Sequence, residues 1–309
     1  YLTYDAAAAA PVFNYNVGDN NISNSQAVKG IPVIPALYNY KGFLYIELED
    51  VIAPNVINFY VELGRKEGNI PTDTKPDYYY LSTSGWQLLP ILSDGTNNLS
   101  CSGIITFNFP QDISNQTSLM NSENYWICLA TKSDISNYPE ITFLKTNGVL
   151  LTRSGSEYLF DTTEPKINSD SISKSHTAIP EIANIVQPFP SFDGKGMEND
   201  SIKNKRISSR LKTKDRIVSL TDYYSVVQQE FNDIYYSKAT YNNKKITVYV
   251  VKRSNNVNDY NAFAPMITIC AEEKIQQYLE ARTSAFTTIT VANFSFLTVT
   301  VNTTITVAN

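Results

Sequence analysis

Nucleophilic or metal-assisted chemistry needs imidazoles, thiols or facing carboxylates at workable spacings, and this sequence holds few of the first two. Its single histidine, His176, sits in the polar run Ser171-Ile172-Ser173-Lys174-Ser175-His176. A Ser-His or Cys-His nucleophilic site would have to use that one residue. A zinc site would have one imidazole and the scattered thiols of Cys101, Cys128 and Cys270. No two of these cysteines have zinc spacing, and an odd number argues against a disulfide framework. All three are therefore expected to be free, buried thiols in a reducing compartment. No G-x-x-x-x-G-K or G-x-G-x-x-G phosphate loop occurs. Carboxylates are plentiful, but no spacing pairs two of them as a glycosidase requires. The expectation is no catalytic site, no cofactor and no metal.

One cluster of like charge stands out. Lys203, Lys205, Arg206, Arg210, Lys212, Lys214 and Arg216 fall within fourteen positions, opposed only by Asp215. Such a run can bind phosphate, yet no stacking aromatics are interleaved with it. The chain as a whole carries a formal charge of −5, with a pI near 5.1, so no global basic field draws it to nucleic acid. On a helix, Arg206 and Arg210 would share a face, as would Lys212 and Arg216. Guanidinium groups pair well with carboxylates, so Arg206, Arg210, Lys212, Asp215 and Arg216 are read as a protein interface. A second candidate is Gln187-Pro188-Phe189-Pro190-Ser191-Phe192, an extended Pro-rich segment. It can lie over a partner or pack on its own chain; Gln187, Pro188 and Phe189 are carried forward as interface residues.

The elements that would position these residues follow from periodicity. The 309 residues suggest two or three domains. A hydrophobic content of 42% against 18% charged allows substantial cores under an uncharged polar surface. No apolar run approaches the roughly 18 residues of a membrane helix, so no membrane insertion is expected. The start, Tyr1-Leu2-Thr3-Tyr4-Asp5, is not a signal peptide. It lacks an initiator Met, which reads as an excerpt. The Ala6 to Ala10 run is read two ways, as true alanines or as a stretch whose side chains were never identified. Residues 1–36 are expected to be an extended segment.

Over 37–151, strands are expected at Phe43 to Leu48, Val56 to Leu63, Trp86 to Leu92, Ile104 to Phe109 and Tyr125 to Ala130, with a hairpin-type turn at Asp94-Gly95. Strands this frequent, with no helical periodicity between them, indicate an antiparallel β-sandwich. Trp86 and Trp126 lie in two of these strands and are read as core residues; the functional alternative is a platform for sugars. Residues 152–200 form a linker: periodicity is lost from Asp161 onward, and Pro165, Pro180, Pro188 and Pro190 stiffen it. Over 201–309 a small α+β domain is expected. Ser219-Leu220-Thr221-Asp222 reads as a capping box opening a helix to about 231. Ile246 to Val251 is a strand, and a second helix begins near Pro265. Thr287 to Val291 and Phe296 to Val307 return to strand. The fold class is mixed and mainly β. The strand pattern still runs at Asn309, which reads as truncation.

Residues 187–195 (Gln187-Pro188-Phe189-Pro190-Ser191-Phe192-Asp193-Gly194-Lys195), 206–216 (Arg206-Ile207-Ser208-Ser209-Arg210-Leu211-Lys212-Thr213-Lys214-Asp215-Arg216), Thr221-Asp222-Tyr223 and Phe231 to Lys238 together resemble the baseplate J-like family. These are wedge proteins of contractile phage tails and extracellular contractile injection systems. In the first half, Leu44-Tyr45-Ile46, Trp86, Asp94-Gly95-Thr96, Ser102 to Phe107 and Tyr125-Trp126-Ile127 come in the order of the large members. The resemblance covers roughly 37–151 and 187–309. Ser209 and Thr213 stand where charges are expected, and Tyr224 where an acid is common. Those departures touch salt bridges, not the fold.

The resemblance implies a structural, non-catalytic wedge subunit that pairs with a second wedge protein, the same or different. Six wedges would surround a spike or hub and carry the sheath-proximal proteins. Rearrangement of the ring would trigger contraction. It also implies assembly in the bacterial cytoplasm into a phage tail-like particle, released or cell-anchored. A carbohydrate-binding or adhesin module is the competing reading, and a glycoside hydrolase the third.

Overall fold

The structure, a computed structural model, describes residues 40–68, 75–116, 120, 123–152, 166–177, 179–192, 194, 198–254, 264–297, 299–300 and 302–303. The extended segment expected over 1–36, including Ala6 to Ala10, lies outside them. Among the described residues the fold is mainly β, with strands in three sheets and three α-helices.

Among the described residues, eight strands build the first half: β1 (Gly42–Leu48), β2 (Asn55–Leu63), β3 (Asp77–Ser82), β4 (Gly85–Leu88), β5 (Ile91–Asp94), β6 (Gly103–Phe109), β7 (Tyr125–Thr131) and β8 (Ile141–Thr146). They pair antiparallel in two sheets, ordered β1-β7-β3-β4 and β5-β6-β2-β8. One core joins the inner faces: Leu48, Tyr78, Tyr80, Ile127 and Leu129 from the first sheet meet Phe59, Val61, Ile105, Phe107 and Phe109 from the second. This is the β-sandwich expected from the strand frequency.

Strand β7 reads Tyr-Trp-Ile-Cys-Leu-Ala, a continuous apolar run rather than an alternating one. Both of its faces are covered, as such a run requires. Ile127 and Leu129 point into the core, whereas Cys128 and Ala130 join Leu81 and Trp86 in a second cluster on the other side. The stretch expected as one strand from Trp86 to Leu92 is two. Pro90 cannot donate to a ladder, and there the chain leaves β4 in one sheet to enter β5 in the other. The turn expected at Asp94-Gly95 is a longer loop to Ser102, with Asn97, Asn98 and Leu99 all at positive φ.

The second half contains α1 (Asp200–Thr213), α2 (Leu220–Glu230), β9 (Ile234–Asn242), β10 (Lys245–Lys252), α3 (Ile269–Glu280) and β11 (Thr288–Asn293). The order expected from sequence, α-β-α-β-β, missed α1 and β9. Strand β10 is central, antiparallel to β9 and parallel to β11, with α3 as the crossover a parallel pair requires. Tyr223, Val227, Ile275 and Leu279 of the helices close over Val248, Val250, Ile289 and Val291 of the sheet.

The second helix begins later than expected. Thr268 caps it, accepting from the Ala271 N–H, because residues 267 and 268 are occupied elsewhere: Ile267 is bonded to Asn293 and Thr268 bridges Glu67. The strand expected from Phe296 is not formed in the described residues of that stretch. Leu297 and Val299 are exposed there, and an extended segment without a ladder partner is not stable. Sequence reading also missed that Thr287–Asn293 recurs residue for residue at 303–309; the first copy supplies β11.

The capping box opening α2 is present. The Asp222 carboxylate accepts from the backbone N–H of Ser219 (2.8 Å) and Val218 (3.1 Å). Burial tends to raise the Asp222 pKa, but these hydrogen bonds and Lys212 outweigh it and hold it below the usual carboxylate range. A depressed folded-state pKa stabilises above the unfolded value, near 4, and that contribution is lost as pH falls through the folded value. Asp222→Ala is expected to cost about 1 kcal/mol at pH 7. The difference between variant and wild type should shrink toward pH 3. Urea denaturation at pH 7 and pH 3 checks this; a pH-independent difference would refute the carboxylate's role.

Candidate interface and the junction between the two halves

Of the residues singled out for chemistry, His176 is exposed in a stretch without regular structure. Among the described residues, no three His, Cys, Asp or Glu side chains are grouped to hold a metal ion, and no helix is long and apolar enough to cross a membrane. Asp112 accepts from the Tyr80 hydroxyl at 3.0 Å. Asp77 accepts from the Tyr40 hydroxyl and lies 3.5 Å from Lys132. These carboxylates are bound into structural contacts. Trp86 is buried beside Cys128, with the Tyr45 ring 5.7 Å away, and Trp126 is partly buried against the same cluster. Trp86 is a core residue, not a platform for sugars.

The Pro-rich segment turns onto its own chain at Phe189. That ring lies 6.1 Å from Tyr60 and 5.4 Å, edge-on, from Phe143, covering the outer side of β2 and β8. Gln187 fixes the segment: its carbonyl accepts from the Asp170 N–H at 2.9 Å, and its side-chain oxygen from the Ile172 N–H at 3.0 Å. Ser191 and Ile167 bond reciprocally, at 2.8 Å each way. Pro188, Val186 and Phe192 remain exposed. Phe189 thus holds the segment to the sandwich, Gln187 ties it to Asp170 and Ile172, and the outward edge is carried by their neighbours.

The basic run forms helix α1, ending at Thr213. Lys214 and Asp215 adopt positive φ and terminate the helix, so Arg216 lies beyond it. The shared helical face expected for Lys212 and Arg216 is not formed; that for Arg206 and Arg210 is. Arg206 Nε reaches both oxygens of Glu198, at 2.8 and 3.0 Å. Asp215 gathers two guanidiniums: Arg210 at 3.7 Å and Arg282 at 3.1 Å. Arg282 also stacks 3.5 Å from the centre of the Tyr278 ring and donates to the Tyr278 carbonyl. Asp215 is thus the hub joining the end of α1 to the end of α3.

Among the described side chains of α1, those turned toward the protein are polar. Arg206, Ser209 and Thr213 are its partly covered positions, and Gln229 of α2 donates to the Ser209 hydroxyl. Ile207 and Leu211, one turn apart, face solvent; Leu211 is 73% exposed. A helix on a finished surface places its aliphatic stripe inward. Here two aliphatics face outward instead, and Lys203 and Arg210 flank the pair. Val218, just past the helix, and Phe286, 96% exposed, add apolar surface in the loops at this end of the unit. The exposed aliphatics were in plain sight in the sequence, but only packing reveals which face is free.

The cysteines correct the sequence reading. Cys101 and Cys270, 169 residues apart, are disulfide-bonded, with Cα atoms 4.8 Å apart. Only Cys128 among the three is a free buried thiol. Its pKa is pushed up to about 12 by burial, against a hydrogen bond with Tyr45 that lowers it, so it is inert. The pair was hidden because it joins two halves that periodicity treats separately.

A family model described as Baseplate protein PVC11-like matches residues 41–309. No curated protein matches the chain. Among solved structures, a chain of the anti-feeding prophage (AFP) baseplate, determined by cryo-EM and 6-fold symmetrised, is similar with a TM-score of 0.29 and 14% sequence identity. The match covers 78% of this chain and 58% of that one, so the present chain spans less than two thirds of that chain's length.

Proposed function

The chain belongs to the PVC11-like baseplate protein family, and from that premise we propose that it is a wedge subunit of a contractile injection machine. Its coarse role is structural, as part of the baseplate of a phage tail-like particle. The finer reading is that it pairs with a second wedge protein, contacts the spike or hub and the sheath-proximal proteins, and takes part in a six-fold ring. The ring would assemble in the bacterial cytoplasm, and its rearrangement would release contraction. The reading divides the chain into a sandwich domain at 37–151, a linker at 152–200 and an α+β domain at 201–309. It assigns the chain no catalysis. Burial of Trp86 takes one of the two tryptophans away from the competing glycan-binding reading, which is left with the partly buried Trp126.

One observation carries the reading: α1 presents its aliphatic pair and its cations outward together. Apolar anchors rimmed by charge are the composition of a protein interface. The cations orient the partner more than they add affinity. Two double variants test this by reconstitution with the remaining baseplate proteins, scored by electron microscopy. Ile207→Glu/Leu211→Glu is expected to reduce incorporation into rings by about tenfold or more, since it charges the centre of the patch. Arg210→Glu/Arg216→Glu is expected to do the same through orientation. Both should fold, because the exposed Arg210–Asp215 pair is worth only about 0–1 kcal/mol. Normal rings from both variants would refute the interface. Tight DNA binding with a steep salt dependence would replace it with a nucleic-acid site.

A further inference from the structure

We propose that Cys101 and Cys270 are an oxidation-controlled clamp: two thiols while the chain is in a reducing compartment, and a covalent strap between the sandwich and the α+β unit once a disulfide-class oxidant reaches them. The proposal concerns this chain alone and stands whether or not the wedge assignment does.

On the sandwich side, Cys101 is held by a stiff loop. Asp94 Oδ1 accepts from the N–H and hydroxyl of Thr96, at 2.8 and 2.6 Å, and Asp94 Oδ2 from the Asn98 N–H at 2.8 Å. Thr96, fully buried, accepts at its hydroxyl from the Leu99 N–H and at its carbonyl from the N–H groups of Ser100 and Cys101. The backbones of Gly95 and Gly103 touch at the loop base: a Cβ on Gly103 would lie 2.3 Å from the Gly95 carbonyl oxygen. Leu99 is driven into the sandwich core. The loop therefore moves with the sandwich.

On the other side, Cys270 is the second residue of α3, whose Ile275 and Leu279 are anchored in the α+β core. Two backbone contacts accompany the cysteines. The Ile269 N–H donates to the Lys66 carbonyl at 3.0 Å, and Glu67 bridges Thr268 in antiparallel fashion. These are modest links, each worth about a hydrogen bond. The covalent bond is the strong one, and both cysteines are only partly buried, so a small oxidant can reach them.

The chemistry balances with oxidised glutathione as the oxidant. One cysteine thiolate attacks it and forms a mixed disulfide, expelling one glutathione thiolate. The second cysteine attacks that mixed disulfide, closes the Cys101–Cys270 bond and expels the other. Two cysteine sulfurs are oxidised, two glutathione sulfurs are reduced, and the two cysteine protons end on glutathione. In a reducing compartment the reverse reaction keeps the pair open. A pair 169 residues apart meets only when both halves are folded and docked, so closure reports a correctly assembled chain and then holds it.

The test uses the full chain purified under reducing conditions, then exposed to oxidised glutathione and trapped with an alkylating agent. Peptide mass mapping is expected to find Cys101 joined to Cys270, and Cys128 alkylated only after unfolding. The link should form in the folded chain at least about tenfold faster than in the same chain in denaturant, where a loop this long closes rarely. Hydrogen exchange at Ile269 should slow by about tenfold on oxidation, and should not respond to the oxidant in Cys101→Ser/Cys270→Ser. If the folded chain, shown intact by circular dichroism, forms no such link, the proposal fails. Equal closure rates in folded and denatured chains, or unchanged exchange at Ile269, would also overturn it.

Discussion

Replacing Phe107 by alanine is expected to destabilise the sandwich by about 3–5 kcal/mol while leaving the helical half folded. Phe107 sits at the centre of β6, opposite Ile57 of β2 and Ile91 of β5. It is 2% exposed. Its ring contacts Tyr78 across the sheets at 5.1 Å, Phe59 at 5.5 Å and Phe109 at 6.4 Å. Removing it leaves a void walled by three other rings, which are held by their own strands and cannot collapse into it. Both tryptophans lie in the sandwich, in β4 and β7, whereas α1, α2 and α3 all lie in the other half. Tryptophan emission therefore follows the first and helical ellipticity the second. Under reducing conditions, the emission midpoint of Phe107→Ala should fall well below that of the wild type, and the ellipticity midpoint should stay. Both midpoints falling together would show one cooperative unit, and the division into two domains would be wrong.

How far the sequence carried depends on whether a signal was local. Alternating runs such as Val56 to Leu63 and Ile104 to Phe109 state their own conformation. Ser219 and Asp222 state a helix start within four residues. Strand β3 was missed because Asp77-Tyr78-Tyr79-Tyr80-Leu81-Ser82 has aromatic residues on both faces, and only the second cluster around Leu81 explains why both are covered. Pro90 marked a break, but nothing local says that the strands on either side of it belong to different sheets. The start of α3 depended on Glu67, Lys66 and Asn293, each far away in sequence. The candidate interface was half legible. The cations of α1 are visible as a run, whereas the outward direction of Ile207 and Leu211 follows from what α2 leaves uncovered. The disulfide was not legible at all, since cysteine count is evidence only when partners are close or numerous.

Asn293 and Glu272 should show strong energetic coupling, of about 1–3 kcal/mol in a double-mutant cycle. Glu272 lies in the first turn of α3 and is 1% exposed. A carboxylate there is favoured by the helix dipole, but burial makes it costly unless its oxygens are bonded. Asn293, at the end of β11, donates to Glu272 Oε1 at 2.6 Å. Its amide also clasps the backbone of Ile267, accepting from the N–H at 2.8 Å and donating to the carbonyl at 3.2 Å. Asn293→Leu removes all three bonds at once. Each buried polar group left without its partner costs about 1–3 kcal/mol, so a loss of about 3–5 kcal/mol from the α+β half is expected. Adding Glu272→Leu removes the carboxylate that Asn293 served, so the double variant should lose less than the sum of the two singles. Denaturant titration followed by helical ellipticity measures all four corners. Additive losses would mean that the amide serves only Ile267 and that the carboxylate is held by other groups. Since Ile267 leads directly into Thr268, Ile269 and Cys270, Asn293→Leu should also slow closure of the Cys101–Cys270 bond in the folded chain. Loss of stability without that slowing would show that α3 alone, and not the segment before it, positions Cys270.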